Sequence, residues 1–101
     1  FKIDLGQRPE KIDLHFNPRF SQGFIACNSW DGSWGQEQRE CHLGFGPGSE
    51  IKLMVRFECC GFNGTLPDGY QFTFPSRMGS CCLSYLRVTS GLSLTCFKFE
   101  G

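Results

Sequence analysis

Alternation with a period of two runs through most of the chain. Phe1, Ile3 and Leu5 alternate with Lys2 and Asp4. Ile12, Leu14, Phe16 and Phe20 alternate with Lys11, Asp13, His15, Asn17 and Arg19. Farther on, Ile51, Leu53, Val55 and Phe57 alternate with Lys52, Met54 and Arg56, while Tyr70, Phe72 and Phe74 keep one parity. Successive side chains of a strand point to opposite sides, so each run predicts a strand with one buried face and one wet face. Breakers separate the runs: Gly6 to Glu10, Gly44 to Gly48, and Leu66-Pro67-Asp68-Gly69, which reads as a hairpin turn. Near the end, Leu92, Leu94 and Cys96 share a parity that Phe97 and Phe99 break, which predicts a bulge or a strand buried on both sides. No helix, repeat or low-complexity linker stands out. Strands roughly every eight to twelve residues point to a sandwich or a barrel.

Composition narrows the function classes. The 101 residues suit one domain, and ten Lys plus Arg against ten Asp plus Glu give a formal net charge of zero. A balanced charge lacks the long-range field a nucleic-acid binder uses. No apolar run approaches the roughly eighteen residues a membrane span needs. Thirteen Gly, five Pro and eleven Phe oppose a helical bundle. The chain opens on Phe1 with no cleavable apolar leader, so a processed or incomplete chain is expected.

Seven cysteines raise the question of compartment. Cys27, Cys41, Cys59, Cys60, Cys81, Cys82 and Cys96 are odd in number, so at least one cannot pair within the chain. The adjacent pairs Cys59-Cys60 and Cys81-Cys82 suit a disulfide framework badly, because strand neighbours face opposite ways. There is no C-x-x-C spacing, and His42 beside Cys41 is the one His near any of them, which disfavours zinc. Reduced thiols in a protein folded in the cytosol are the expectation.

Candidate chemistry concentrates in two segments. Alternation places His15, Asn17 and Arg19 on one face of a strand, each about 7 Å from the next, and sends Leu14, Phe16 and Phe20 to the other. Such a row is also what any antiparallel sheet shows to water. A second segment, Trp34-Gly35-Gln36-Glu37-Gln38-Arg39-Glu40, is polar on both parities and cannot be an ordinary core strand. Glu37 and Arg39 share a face, and Trp34 is a large ring among polar neighbours, a recognition signature unless it ends a strand in the core. Between them, Ile25 and Cys27 share one parity and Phe24, Ala26 and Asn28 the other; if the strands are neighbours, Asn28 joins the polar face.

His15-Phe16-Asn17-Pro18-Arg19-Phe20, then Cys27-Asn28-Ser29, then Trp34 to Glu40 together resemble the signature of the galectins, the β-galactoside-binding lectins. Leu66-Pro67-Asp68-Gly69-Tyr70 and Phe74-Pro75-Ser76-Arg77 match later landmarks of that family in order and at compatible spacing, and the likeness to its single-domain class covers the whole chain. The resemblance implies an all-β fold: a two-sheet antiparallel β-sandwich of jelly-roll type, like that of the legume lectins. It implies that residues 1–101 form one carbohydrate-recognition domain, N-terminally incomplete, with Phe1 inside a strand of the sugar-binding sheet. The sugar contacts it implies fall on His15, Asn17, Arg19, Asn28, Trp34, Glu37 and Arg39. His15, Asn17 and Arg19 would bond the axial O4 of galactose, Asn28 and Glu37 its O6, and Arg19 with Glu37 the next sugar, with Trp34 stacked on the ring. The implied partners are β-galactoside glycans and a second copy in a homodimer, without cofactor, metal, nucleic acid or membrane insertion. The implied location is cytoplasmic, with non-classical secretion. Asp31-Gly32-Ser33 before Trp34 is one residue shorter than in near relatives, and Trp30 is an additional aromatic without an assigned role.

Two other classes compete. A glycosidase would pair Glu37 with Asp13 or Glu40. Against it, a Glu37 held between Arg19 and Arg39 has its pKa lowered and makes a poor general acid. A Cys41-His42 hydrolase fails because strand neighbours face apart. The remaining alternative keeps the fold as a structural or interaction protein without the sugar site.

Overall fold

The alternating runs fold as strands. The computed structural model describes residues 2–43, 51–58, 61–79, 83–89 and 94–100, with positions 51, 52 and 94–100 as backbone alone. In these segments lie β1 (Lys2–Arg8), β2 (Lys11–Arg19), β3 (Phe24–Asp31), β4 (Gln38–Glu40), β5 (Ile51–Glu58), β6 (Gly61–Thr65), β7 (Gln71–Pro75), β8 (Tyr85–Thr89) and β9 (Leu94–Glu100). Two sheets form, ordered β4-β3-β2-β1-β8 and β7-β6-β5-β9. All pairings are antiparallel except β5 with β9, which run parallel. The described residues contain no helix.

The apolar parities meet between the sheets. Ile3, Leu5, Leu14, Phe16, Ile25 and Cys27 of the five-stranded sheet face Leu53, Val55, Phe62, Phe72 and Phe74 of the other, with Leu66 beside them. The rings of Phe16 and Phe72 stack across the gap at 5.3 Å. Gln38 Nε2 donates to Thr73 O at 2.7 Å, tying the edge strand β4 to β7. The predicted turn at Leu66 is a hairpin: Gly69 N donates to Leu66 O at 2.9 Å and Leu66 N to Tyr70 O at 2.8 Å. Gly69 takes φ +89, a conformation open to Gly at no steric cost.

Four irregularities depart from simple alternation. In β2 the partner of Ile12 is Trp30 while that of His15 is Asn28, so one extra residue is inserted between them. This bulge reverses the parity ahead of it. Ile12 therefore stands outside the core cluster and lines the outer surface beside Trp30. Asp13, expected on the wet face, is buried and accepts from Gln7 Nε2 at 3.3 Å. In β9, Leu94 pairs with Ile51 and Cys96 with Lys52, so Thr95 is the extra residue and the predicted bulge is present. The expected break at Gly6 does not end β1, which continues through register shifts to Arg8.

The fourth irregularity is at the edge of the five-stranded sheet. Val88 pairs with Ile3 and Leu86 with Leu5, so all four share the core-facing side. Yet Ile3 and Leu5 are 1% exposed, whereas Leu86 is 52% and Val88 40% exposed. The sandwich is open along β8. The predicted break at Gly44 to Gly48, and Phe1, Leu92, Cys59, Cys60, Cys81 and Cys82, lie outside the described residues.

Candidate carbohydrate-binding site

The sheet order brings the two polar segments together. His15 pairs with Asn28 and Asn17 with Ala26 across β2 and β3, and Ala26 pairs with Arg39 across β3 and β4. All these residues, with Arg19, share the outer face. Trp34 follows the turn at Gly32 and Ser33 and forms a β-bridge with Trp30. Its ring lies 4.8 Å from that of His15 and meets Trp30 edge-on at 5.1 Å, leaving it 53% exposed. Trp30 thus acquires a role: it props Trp34 from behind.

Glu37 is held as its neighbours require. Its Oε2 accepts from Arg39 Nε at 2.7 Å and its Oε1 lies 3.2 Å from Arg19 Nη2. The hydrogen bond from Arg39, supported by the charges of Arg19 and Arg39, lowers the Glu37 pKa from the usual carboxylate value. Arg19 Nε also donates to Asn17 Oδ1 at 3.2 Å. One carboxylate and one amide oxygen therefore fix both guanidinium planes.

Three supporting residues escaped sequence reasoning. Asp4 on β1 pairs with His15, and its Oδ1 lies 2.5 Å from His15 Nδ1. In the neutral ring this assigns the proton to Nδ1 and leaves Nε2 as an acceptor. Phe24 lies under both arginines, with Arg39 4.5 Å and Arg19 5.6 Å from its ring centroid, a cation–π platform. Arg77, beyond β7 in the other sheet, donates from Nη1 to Asn28 Oδ1 at 3.0 Å. The polar parity of Asp4 and the shared parity of Phe24 with Asn28 were the available signals; Arg77 had none beyond its motif.

The surroundings sort the remaining candidates. A cleft of about 440 Å³ runs from His15 and Trp34 over Trp30 and Ile12 toward Lys2, Tyr85 and Arg87. A larger cleft of about 690 Å³ on the other sheet is lined by Met54, Asn63, Thr65 and Thr73, with Arg56 as its one charged residue. Size alone does not make a site. No group of three or more His, Cys, Asp or Glu among the described residues could hold a metal ion. Asp13, one partner of the rejected glycosidase pair, is buried away from Glu37's face. Cys27 is buried and its thiol pushed up to about 12 by burial, while Cys41 is exposed; both are free.

Comparison with known proteins agrees with this geometry. The family model for galactoside-binding lectins matches residues 1–99. Galectin-2 of Homo sapiens is 56% identical over 101 residues, covering 99% of this chain and 76% of that protein. The crystal structure of chicken galectin 2 superposes with a TM-score of 0.87 at 42% identity, over 93% of this chain and 73% of that one. A toad ovary galectin in complex with thio-digalactose gives a TM-score of 0.79 at 31% identity, over 84% and 67%. A matched family model, a sandwich of matching shape and a relative at 56% identity over nearly the whole chain converge: the chain belongs to the galectin family of galactoside-binding lectins, which are carbohydrate-binding proteins and not enzymes.

Proposed function

We propose that the outer face of β2, β3 and β4 binds the non-reducing galactose of lactose-type glycans through His15, Asn17, Arg19, Asn28, Trp34, Glu37 and Arg39. The observation that carries this reading is the convergence of all seven on one face with their hydrogen-bonding directions already set. His15 Nε2 accepts and Arg19 and Asn17 donate, a mixed set that suits a hydroxyl able to do both. The axial O4 of galactose would sit among them. Its equatorial epimer in glucose would leave the same groups unpaired in a desolvated site, which is how specificity arises. The axial arrangement also gathers ring C–H groups on one side, and these pack against the exposed face of Trp34. Asn28 and Glu37 take O6, and Arg19 with Glu37 reach the adjoining sugar.

A shallow site of this kind binds one disaccharide with a dissociation constant of roughly micromolar to millimolar order. Cross-linking of glycoconjugates therefore calls for two sites on one particle, and a homodimer is the assembly we propose. The open edge at β8, with Leu86 and Val88 exposed, is consistent with a partner there.

Retention on immobilised lactose tests the reading. The protein should be retained, and released by free lactose or galactose but not by glucose. Trp34→Ala and Arg39→Met should pass through while melting as the unsubstituted protein does. Passage of the unsubstituted protein would favour a structural role for the fold.

A further inference from the structure

We propose that Arg77 is a positioning residue of the sugar site: from the opposite sheet it fixes the Asn28 amide so that Asn28 presents only a hydrogen-bond donor to the ligand. This rests on the reading that Asn28 serves the galactose O6. The side chain of Asn28 is nearly buried, so its partners determine what it can offer. Its Oδ1 accepts twice, from Ser29 N at 2.8 Å and from Arg77 Nη1 at 3.0 Å. Its Nδ2 donates to Gly35 O at 2.9 Å. A carboxamide has two N–H groups and two acceptor lone pairs. Three of those four capacities are used within the protein, and the fourth is an N–H.

Arg77 is itself held in place. Its guanidinium lies 4.7 Å from the centroid of Phe74, a fully buried ring of β7. It also passes close under Gly35, where an added Cβ would stand 2.8 Å from Nη1 and 3.3 Å from Asn28 Oδ1. Gly35 therefore leaves the space through which Arg77 reaches Asn28. An amide rotated by 180° would turn Nδ2 toward a cation and the Ser29 N–H and Oδ1 toward the Gly35 carbonyl, so Arg77 adds a charged donor to the two backbone groups that hold one orientation. The consequence is a specificity filter. Position 6 of the galactose must carry a group that accepts, such as a hydroxyl, and a sugar lacking O6 leaves the Asn28 N–H unpaired.

The test compares lactose with 6′-deoxylactose, in which the galactose O6 is absent. The unsubstituted protein should bind lactose about tenfold to a hundredfold more tightly, because O6 bonds both the Asn28 N–H and the Glu37 carboxylate. Arg77→Met should remove the Asn28 share of that preference, about fivefold, by weakening lactose alone, with 6′-deoxylactose unchanged. Asn28→Ala should do the same, and the double variant should lose no more. Gly35→Ala, which crowds Arg77 without touching its charge, should reproduce the effect if Arg77→Met fails to fold. Equal weakening of both sugars would show a general structural role and overturn the proposal, as would an unchanged preference. A sugar-free measurement separates this proposal from the lectin reading: the Asn28 side-chain NH₂ resonances should shift in Arg77→Met while core amides stay in place. Should lactose not bind at all, those resonances still decide: movement upholds the positioning of Asn28 and defeats the O6 role, and no movement defeats both.

Discussion

Replacing Glu37 by Gln keeps the shape of the side chain and removes its charge, which isolates what one carboxylate between two arginines is worth. Glu37 is 28% exposed, Arg19 38% and Arg39 60%, so solvent screens both pairs. An exposed pair contributes about 0.2–1 kcal/mol, and two pairs sharing one carboxylate contribute about 1 kcal/mol together. That part affects binding through the arginine planes, which lose their shared anchor. The direct bond from a charged acceptor to a sugar hydroxyl adds about 1.5 kcal/mol. The combined loss of about 2.5 kcal/mol corresponds to roughly 60-fold weaker lactose binding. Stability should fall by no more than about 1 kcal/mol, which lowers the melting temperature by at most about 4–8 °C. Tryptophan fluorescence during a lactose titration, with thermal melts alongside, measures both. Lactose affinity within about threefold of the unsubstituted protein would refute the reasoning. The pH dependence follows from the same contacts. The Glu37 pKa is lowered from the ordinary value of 4.5, so its contribution is complete above that value and is lost as pH falls below it, through the depressed folded value. The Glu37 component of lactose binding should stay constant from neutral pH down to about 5 and be lost only in stronger acid, and the Gln variant should lack that component.

Other perturbations follow from the same contacts. Asp4→Asn can still bond His15 Nδ1 but no longer favours one tautomer, and lactose affinity measured by calorimetry should fall about fivefold with the fold unchanged. Phe16→Ala deletes a fully buried ring stacked on Phe72 and should cost about 3–5 kcal/mol in urea unfolding. Cys41 should react with iodoacetamide at pH 8 while Cys27, buried and with its thiol pushed up to about 12, stays unmodified until the protein unfolds; peptide mass spectrometry distinguishes the two.

Much of this architecture could be read from the chain because period-two alternation is a local signal. It marked β1, β2, β3, β5 and β7, and placed Ile3, Leu14, Phe16, Ile25, Leu53 and Phe74 in the core. It failed at Ile12 and Asp13 because a bulge depends on how β2 pairs with β3, and pairing is not local. The edge position of β8 was illegible for the same reason: Leu86 and Val88 alternate like core residues, and only the opposite layer decides whether they are covered. At the candidate site, alternation put His15, Asn17 and Arg19 on one outer face, and the family resemblance named the candidate contacts. Their supports were not legible. Asp4, Phe24 and Arg77 act across strands, and Arg77 across sheets from a position 49 residues beyond Asn28. The parallel pairing of β5 with β9 likewise leaves no trace in the periodicity of either strand.

A lactose titration followed residue by residue in ¹H–¹⁵N NMR spectra tests the central claim most directly. The expected result is a set of shifts confined to His15, Asn17, Arg19, Asn28, Glu37, Arg39 and the Trp34 indole, saturating at millimolar lactose and absent with glucose. Shifts centred instead on Met54, Asn63 and Thr73 in the larger cleft of the other sheet, or no shifts at millimolar lactose, would contradict it.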